Sequence, residues 1–293
     1  VREVISVLSP RDGDRVLDCT FGGGGHSRSI LESAECYVCG MDRDPDAADR
    51  ARSLKEQYRG KFDFTQCKFS EMRNVLGNCE KFDAVLFDFG ISSFQVDDAD
   101  RGFSFMRDGT LDMRMSKTGR SAFDVVNSFS EEDLSKMICV YGEESRARAK
   151  RIAASIVAER RTKVIRTTID LAKSVHRAVG DMALRKKHSR IDPATKTFQA
   201  IRIYVNDELS EIYAALQNIP YLLNDNARLA TIAFHALEDR IVKNWAASVG
   251  GRFDAVCRNV IKPTYEEIRR NPRARSARMR GYVCCGAYAG ESV

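Results

Sequence analysis

The sequence has no long hydrophobic segment. None of its apolar runs approaches the roughly 18 residues that a membrane-spanning helix needs, no signal-peptide pattern opens the chain at Val1, and there is no internal repeat or low-complexity stretch. With 293 residues, 43% of them hydrophobic and 30% charged, the chain can form one large or two modest globular domains. We therefore expect a globular protein with no membrane partner. A bacterial cytoplasm is the simpler location, and a mitochondrial matrix is the alternative.

Paired cysteine motifs are also scarce. The nine cysteines are odd in number and scattered, which favours reduced thiols over a disulfide framework. Cys36 and Cys39 form a CxxC motif, but they lie on a predicted strand and no second CxxC follows. We therefore expect no metal site.

The GxxxxGK motif of an ATP-binding P-loop is missing. In its place, four glycines at residues 22–25 separate an apolar strand ending at Asp18 from another ending at Asp42. Glycines let a ligand lie directly against the backbone, and an acid after the second strand can accept hydrogen bonds from a ribose. A dinucleotide, S-adenosylmethionine and a turn without ligand all fit this pattern. Asp18 favours S-adenosylmethionine over NAD, because its charge attracts a sulfonium and an ammonium group and repels a pyrophosphate.

Strands and helices alternate four times in the first 90 residues, which predicts an α/β fold with a doubly wound parallel sheet. We expect a helix at 45–58 and further strands at 62–67, 83–89 and 228–234, with edge strands at 253–260 and 281–288.

From about residue 121 the periodicity becomes helical. Ser130 to Asp133 resembles a capping box, and residues 194–218 predict one long helix. We therefore expect a helical insertion at 106–195 in a sheet domain formed by residues 1–105 and 196–293.

The positive charge is clustered. The net charge is +6, and basic residues concentrate at 143–166, 185–190 and 269–280. A single charged run is often only a solvated face, but three runs in a basic protein favour a polyanionic partner, most simply nucleic acid.

A long loop follows the strand that ends near Asp88. Residues 89–115 are rich in glycine, serine and aspartate, yet they include Phe94, Phe103, Phe105 and Met106. Loops of this length are usually functional or disordered, and the aromatic residues argue against disorder. We expect this loop to hold a substrate.

Seven segments together resemble the MraW-type methyltransferases, which methylate the exocyclic N4 of a decoding-centre cytosine in small-subunit ribosomal RNA. They occur in the family's order and cover nearly the whole chain: DCTFGGGGHS, GMDRDPDA, FDFGISSFQVDDADRGFSFMRDGTLDMRM, YGEES with KRIAASIV, PATKTFQAIRIYVNDEL, FHALEDRIVK and NPRARSA.

The resemblance implies a Rossmann-like class I methyltransferase sheet with an inserted all-helical domain that recognises RNA. It implies S-adenosylmethionine as cofactor, and small-subunit ribosomal RNA or the assembled small ribosomal subunit as partner, for a monomer or a homodimer. The family's cofactor contacts fall on Gly24, Gly25, His26, Asp42, Phe69, Asp88 and Gln95.

The chain departs from the family pattern in several places. It starts just after the family's usual His-x-Pro-Val segment, and the stretch between Trp245 and Lys262 is short. Asp192 stands where histidine is more common, residues 224–227 replace a Pro-Gly-Gly turn, and alanines replace the serines that flank Phe-His.

The Asn/Asp-Pro-Pro-Tyr signature of many amino methyltransferases is absent, so the catalytic candidates follow from location alone. They are Asp88, Ser92, Ser93, Asp97 and His235, with Glu238 beside the last. The candidate RNA contacts are Arg101, Arg107, Arg146, Arg151, Arg273 and Arg275. Two alternatives stay open: a ribosome-assembly factor that has lost catalysis, and a methyltransferase acting on another nucleic acid or on protein.

Overall fold

The computed structural model describes residues 1–77, 81–180 and 192–286. The chain forms two compact units, one made of Val1–Ile91 with Leu209–Val293 and the other of Ser92–Glu208. The second unit is wider than the expected insertion at 106–195, because loop residues before 106 bond within it: the backbone N–H of Met113 donates to the Arg101 carbonyl. The basic segment 185–190 and the end of the strand predicted at 281–288 lie outside the described residues.

The first unit contains a seven-stranded sheet, which confirms the predicted α/β fold. The strands are Arg15–Asp18, Tyr37–Asp42, Phe62–Gln66, Phe82–Asp88, Leu223–Ala233, Phe253–Ala255 and Arg278–Cys284, numbered β1 to β7. They run in the order β3-β2-β1-β4-β5-β7-β6, with β1 to β5 parallel and β7 antiparallel to both neighbours. The inserted antiparallel β7 distinguishes this sheet from the 3-2-1-4-5-6 order of dinucleotide-binding folds.

The sheet is covered on both faces, as its apolar strands predict. Successive residues of β4 alternate between two buried clusters: Val85 and Phe87 pack on one face, and Ala84 and Leu86 on the other. Such burial on both sides explains why β4 is apolar almost throughout. The helices of this unit are Arg2–Leu8, Gly25–Ser33, Ala47–Gln57, Met72–Leu76, Glu208–Leu222, Ala236–Ser248 and Tyr265–Arg270, the fifth starting at the unit boundary.

The last three strands differ from the predicted bounds. β5 starts earlier than residue 228, because Leu223 pairs with Phe82 across a register shift. β6 is shorter than predicted and ends at Ala255. β7 begins before residue 281, since Arg278 already pairs with Ala233.

The second unit is helical, and its one β-type pairing in the described residues is the isolated bridge between Thr110 and Thr167. The predicted cap at Ser130 is confirmed, because its hydroxyl accepts from the Asp133 N–H. The helices are Ser93–Asp97, Ala122–Ser128, Glu131–Tyr141, Arg146–Thr162, Thr168–Val179 and Ala194–Asn206. No helix in the described part of either unit is both long and apolar enough to cross a bilayer.

The prediction of a single long helix at 194–218 is wrong. The chain breaks at Asp207, which has a left-handed φ of 49°, between the helices Ala194–Asn206 and Glu208–Leu222. The buried Asn206 side chain accepts from the Met115 N–H at 2.8 Å and donates to the Met113 carbonyl at 2.7 Å. Because these partners lie in a loop far away in the sequence, the local helical periodicity does not reveal the break.

We predict that Asn206→Ala lowers the free energy of unfolding by about 2–4 kcal/mol, because it leaves a buried N–H and a buried carbonyl without their partner. Urea denaturation measures the change. Lys136→Ala, at an exposed helix position in the same unit, is the control and should stay within about 0.5 kcal/mol of wild type. A loss below about 1 kcal/mol for Asn206→Ala contradicts the assigned role.

Candidate active site

Three acidic side chains lie at one edge of the sheet. Asp18, Asp42 and Asp88 each end a strand, and their strands β1, β2 and β4 are parallel neighbours. Carboxyl ends of parallel strands meet at the same edge, where open α/β sheets bind ligands. The predicted ligand edge is therefore strongly acidic.

Asp42 organises the glycine loop. Its two carboxylate oxygens accept from the backbone N–H groups of Gly22 and Asp44, both at 2.8 Å. Burial raises the pKa of Asp42 to about 6, although both hydrogen bonds favour the charged form. A carboxylate has about four lone-pair positions, so it can accept further hydrogen bonds from a ligand.

Gly24 places the loop against the following helix. It has a φ of 76° and is the N-cap of Gly25–Ser33. A Cβ at this position would lie 2.8 Å from the ring of Phe21, so both the backbone angle and the available space require glycine. Gly24 has no side chain to bond the first-turn N–H groups, and helix N-termini of this kind suit an anionic ligand group.

Asp18 is fully buried beneath this loop. It accepts from the Ser27 hydroxyl at 2.7 Å and from the Thr20 N–H at 3.2 Å. Burial raises the pKa of Asp18, opposed by the nearby His26 and by these hydrogen bonds. Asp18 therefore connects the end of β1 to the first turn of the helix Gly25–Ser33. It also contributes to the electrostatic potential at this strand edge.

His26 and Asp88 face each other across the loop. The His26 Nε2 lies 3.3 Å from the Asp88 Oδ2, and the Asp88 N–H donates to the Thr20 hydroxyl at 2.7 Å. Burial disfavours the imidazolium, but the carboxylates of Asp88 and Asp18 outweigh this effect and raise the pKa of His26. The buried atoms Asp88 Oδ1 and His26 Nδ1 have no hydrogen-bond partner among the described residues. Unpaired buried polar atoms are rare and indicate a ligand or water position.

Phe69 lies after β3, on the short turn Phe69–Glu71. Its ring meets Phe87 edge-on at 5.4 Å. The turn is fixed by Glu211, whose carboxylate accepts from both the N–H and the hydroxyl of Ser70 at 2.9 and 3.0 Å. Sequence reasoning missed this pair, because its members are 141 positions apart and neither belongs to a recognisable motif.

His235 has a structural task that the sequence did not reveal. Its Nδ1 caps the helix Ala236–Ser248 by accepting from the Glu238 N–H at 3.4 Å, and the buried Glu238 accepts from the Phe234 N–H at 2.7 Å. The His235 Nε2 is 3.1 Å from Glu238 Oε1. The reciprocal cap occupies the His235 Nδ1, whereas the buried His235 Nε2 makes no hydrogen bond among the described residues.

The candidates between 92 and 97 belong to the second unit. Ser92 and Gln95 form a capping box: the Ser92 hydroxyl accepts from the Gln95 N–H at 3.2 Å, and the Gln95 Oε1 accepts from the Ser92 N–H at 2.9 Å. The Ser92 hydroxyl is therefore engaged as the N-cap of the helix Ser93–Asp97. Ser93 and Asp97 are exposed.

The candidate RNA-binding arginines divide into two groups. Arg101 is buried, and its Nη2 donates to the carbonyls of Arg114 and Met115 at 3.1 and 3.0 Å. It anchors the loop and is not available as a phosphate contact. The exposed members are Arg107, Arg146, Arg151, Arg273 and Arg275.

We predict that Asp88→Asn lowers the pKa of His26, because removing the facing carboxylate removes the main attraction for the imidazolium. An NMR pH titration of the imidazole resonances measures this pKa. Asp49→Asn, at an exposed helix position of the same unit, is the control and should leave the pKa of His26 unchanged. An unchanged His26 pKa contradicts the pairing.

The chain resembles known proteins over most of its length. The MraW methylase family matches residues 1–283. Proteins named ribosomal RNA small subunit methyltransferase H are 44% identical in Parvibaculum lavamentivorans, over 95% of this chain and 86% of that one, and 49% identical in Rickettsia massiliae, over 84% of this chain and 77% of that one.

A solved structure of an rRNA methylase from Streptococcus thermophilus is 11% identical, with a TM-score of 0.43 over 97% of this chain and 92% of that one. At that score the structural likeness adds no weight, so the assignment rests on the sequence matches. The chain belongs to the MraW methylase family.

Proposed function

We propose that this protein transfers a methyl group from S-adenosylmethionine to the exocyclic N4 of a decoding-centre cytosine in small-subunit ribosomal RNA. The observation that carries the proposal is the acidic, glycine-lined strand edge, in which Asp88 has a buried oxygen without a partner. The relatives named ribosomal RNA small subunit methyltransferase H support the RNA substrate. The family resemblance supports the choice of cytosine N4.

The residues at this edge fit S-adenosylmethionine. Asp42 can accept hydrogen bonds from the ribose hydroxyls, and the ring of Phe69 offers an apolar face for the adenine. The unpartnered oxygen of Asp88 suits the ammonium group. Gly24 and Gly25 let the ligand lie against the backbone at the helix N-terminus. A pyrophosphate would instead meet the charges of three acids.

S-adenosylmethionine supplies an electrophilic methyl group on a sulfonium when it is bound. The residues of this chain must align the attacking nitrogen in line with that methyl and exclude water. The N4 lone pair of cytosine is delocalised into the ring, so the amino group needs an acceptor for one of its hydrogens as it pyramidalises. We assign that role to Asp88, because a carboxylate has about four lone-pair positions and can accept from both the cofactor ammonium and the cytosine amino group, whereas the Ser92 hydroxyl and the His235 Nδ1 are engaged in helix caps.

The second unit offers a basic surface for the RNA backbone. Arg146, Lys150, Arg151 and Arg161 are exposed on the helix Arg146–Thr162. Neighbouring cations of the same helix serve the fold: Arg148 pairs with Glu144 at 3.2 Å, and Arg160 donates to the Val126 carbonyl at 2.7 Å. The exposed set can neutralise phosphates, which positions RNA without reading its sequence.

We predict that Asp88→Asn reduces methyl transfer to small ribosomal subunits that lack the modification by about 100-fold or more, a loss typical of a group acting in the transition state. The measurement is transfer of labelled methyl from S-adenosylmethionine, with the labelled nucleotide identified. Asp49→Asn, an exposed acid on a helix of the same unit, is the matched control and should keep wild-type activity.

Label on N4 of a decoding-centre cytosine in wild type, lost with Asp88→Asn, supports the proposal. Label on another atom or nucleotide contradicts the proposed specificity. Cofactor binding without any methyl transfer contradicts the proposed enzymatic activity and favours a ribosome-assembly factor.

We also predict that affinity for S-adenosylmethionine rises with pH through about 6. Ribose hydroxyls donate to the ionised form of Asp42, whose pKa is raised to about 6, so binding must displace a proton below that pH. Affinity should fall by up to about tenfold per pH unit below it. Calorimetry at pH 5, 6 and 7 measures this, with Asp42→Asn separating the contribution of Asp42 from that of His26. An identical pH profile for wild type and Asp42→Asn contradicts the assignment.

A further inference from the structure

The segment 262–278, here called the basic connection, joins β6 to β7 and leaves the sheet at the ligand edge. β7 is antiparallel to both β5 and β6, so the chain leaving β6 runs in the same direction as β5, toward the carboxyl ends of the parallel strands. Ile261 and Met279 pair at the two ends of the segment, and each N–H donates to the other's carbonyl, at 2.9 and 2.8 Å. The residues between them therefore project beyond the sheet at that edge.

The strand register places this segment close to Asp88. Asp88 is paired with Ile232 of β5, and Ile232 is paired with Met279 of β7. Neighbouring strands lie about 4.8 Å apart, so the backbone at Met279 is about 10 Å from the backbone at Asp88. These strands all belong to the first unit, so the basic connection and the proposed methyl-transfer site share one edge of one sheet.

The basic connection is strongly cationic. It contains six basic residues and two acidic ones. Arg278, at the start of β7, lies 3.7 Å from Asp239. The other five basic residues are exposed: Lys262, Arg269, Arg270, Arg273 and Arg275. The ligand edge is therefore divided electrostatically, with acids at the ends of β1, β2 and β4 and cations beyond β5.

The backbone of the basic connection is held in a regular conformation. The Thr264 hydroxyl caps the helix Tyr265–Arg270 by accepting from the Glu267 N–H at 3.2 Å. The turn Pro272–Ser276 follows and is anchored by the buried Ala274. A cation on a fixed backbone loses less conformational freedom on binding than one on a mobile chain. The segment is therefore suited to hold an anion at a set distance from Asp88.

We propose that the basic connection holds the RNA phosphates that flank the target cytosine. This inference rests on the proposed function. The RNA must reach an edge whose carboxylates repel phosphates, and cations at the same edge offset that repulsion. Guanidinium groups form charge-assisted, often bidentate hydrogen bonds with phosphates, which position RNA without reading its sequence. At about 3.4 Å per stacked nucleotide, the distance of about 10 Å from Asp88 spans about three nucleotides.

Photocrosslinking tests where the RNA lies. The photoreactive residue p-benzoylphenylalanine replaces Tyr265, which is 76% exposed on the basic connection, or Arg59, which is exposed in the turn before β3 at the opposite edge of the sheet. Each variant is irradiated on small ribosomal subunits that lack the modification, and the crosslinked nucleotides are mapped. We expect only the Tyr265 variant to crosslink rRNA within about five nucleotides of the target cytosine. Crosslinks from Tyr265 only elsewhere, none at all, or crosslinks near the target from both positions overturn the inference.

Removal of charge tests the phosphate contact itself. Arg270→Gln with Arg275→Gln removes two charges from the basic connection, and the control Arg11→Gln with Arg59→Gln removes two exposed charges from the opposite edge. We expect the first pair to raise KM for the small subunit about tenfold and to reduce the log–log salt slope of binding by about one to two. Its kcat should stay within about threefold of wild type, because such contacts bind the ground and transition states alike.

Both double variants should keep the thermal midpoint and the S-adenosylmethionine affinity of wild type. An equal rise of KM in the two double variants assigns the effect to net charge and overturns the inference. An unchanged KM in the first pair also overturns it. Wild type that transfers no methyl overturns the proposed function, and this inference with it.

Discussion

The ligand edge depends on three carboxylates at the ends of adjacent strands, of which Asp18 is fully buried and Asp42 and Asp88 are partly buried. Asp42 fixes the glycine loop through the Gly22 N–H, Asp18 fixes the first helical turn through Ser27, and Asp88 holds His26. Each hydrogen bond offsets part of the desolvation of a charge. The carboxylates of Asp88 and Asp18 raise the pKa of His26 despite its burial, so this edge favours positive charge. A cationic cofactor completes such a site, and a dianionic pyrophosphate does not.

The parts of this arrangement that are local in the chain could be predicted from the sequence. The apolar strands, the glycine loop and the acids that end β1, β2 and β4 follow from patterns only a few residues long. The roles of His235 and Arg101 could not be predicted in this way. The first caps a helix and the second binds carbonyls inside a loop, and both tasks depend on surroundings that single residue types do not encode.

Long-range contacts also limit what the sequence alone can predict. The break at Asp207 follows from the hydrogen bonds of the Asn206 side chain with loop residues about ninety positions away, whereas periodicity alone favours an unbroken helix. Glu211 fixes the turn that carries Phe69 from a different helix. The strand order of the sheet likewise places the last strand, β7, next to β5, which spacing along the chain does not determine.

If the acidic edge selects a cationic cofactor, a calorimetric comparison of S-adenosylmethionine with NAD is the most direct test. Wild type should bind S-adenosylmethionine at least about 100-fold more tightly than NAD, a difference of about 2.7 kcal/mol. Asp88→Asn should narrow this difference by weakening S-adenosylmethionine binding. Comparable affinity for the two ligands, or a difference that Asp88→Asn leaves unchanged, would contradict this selection.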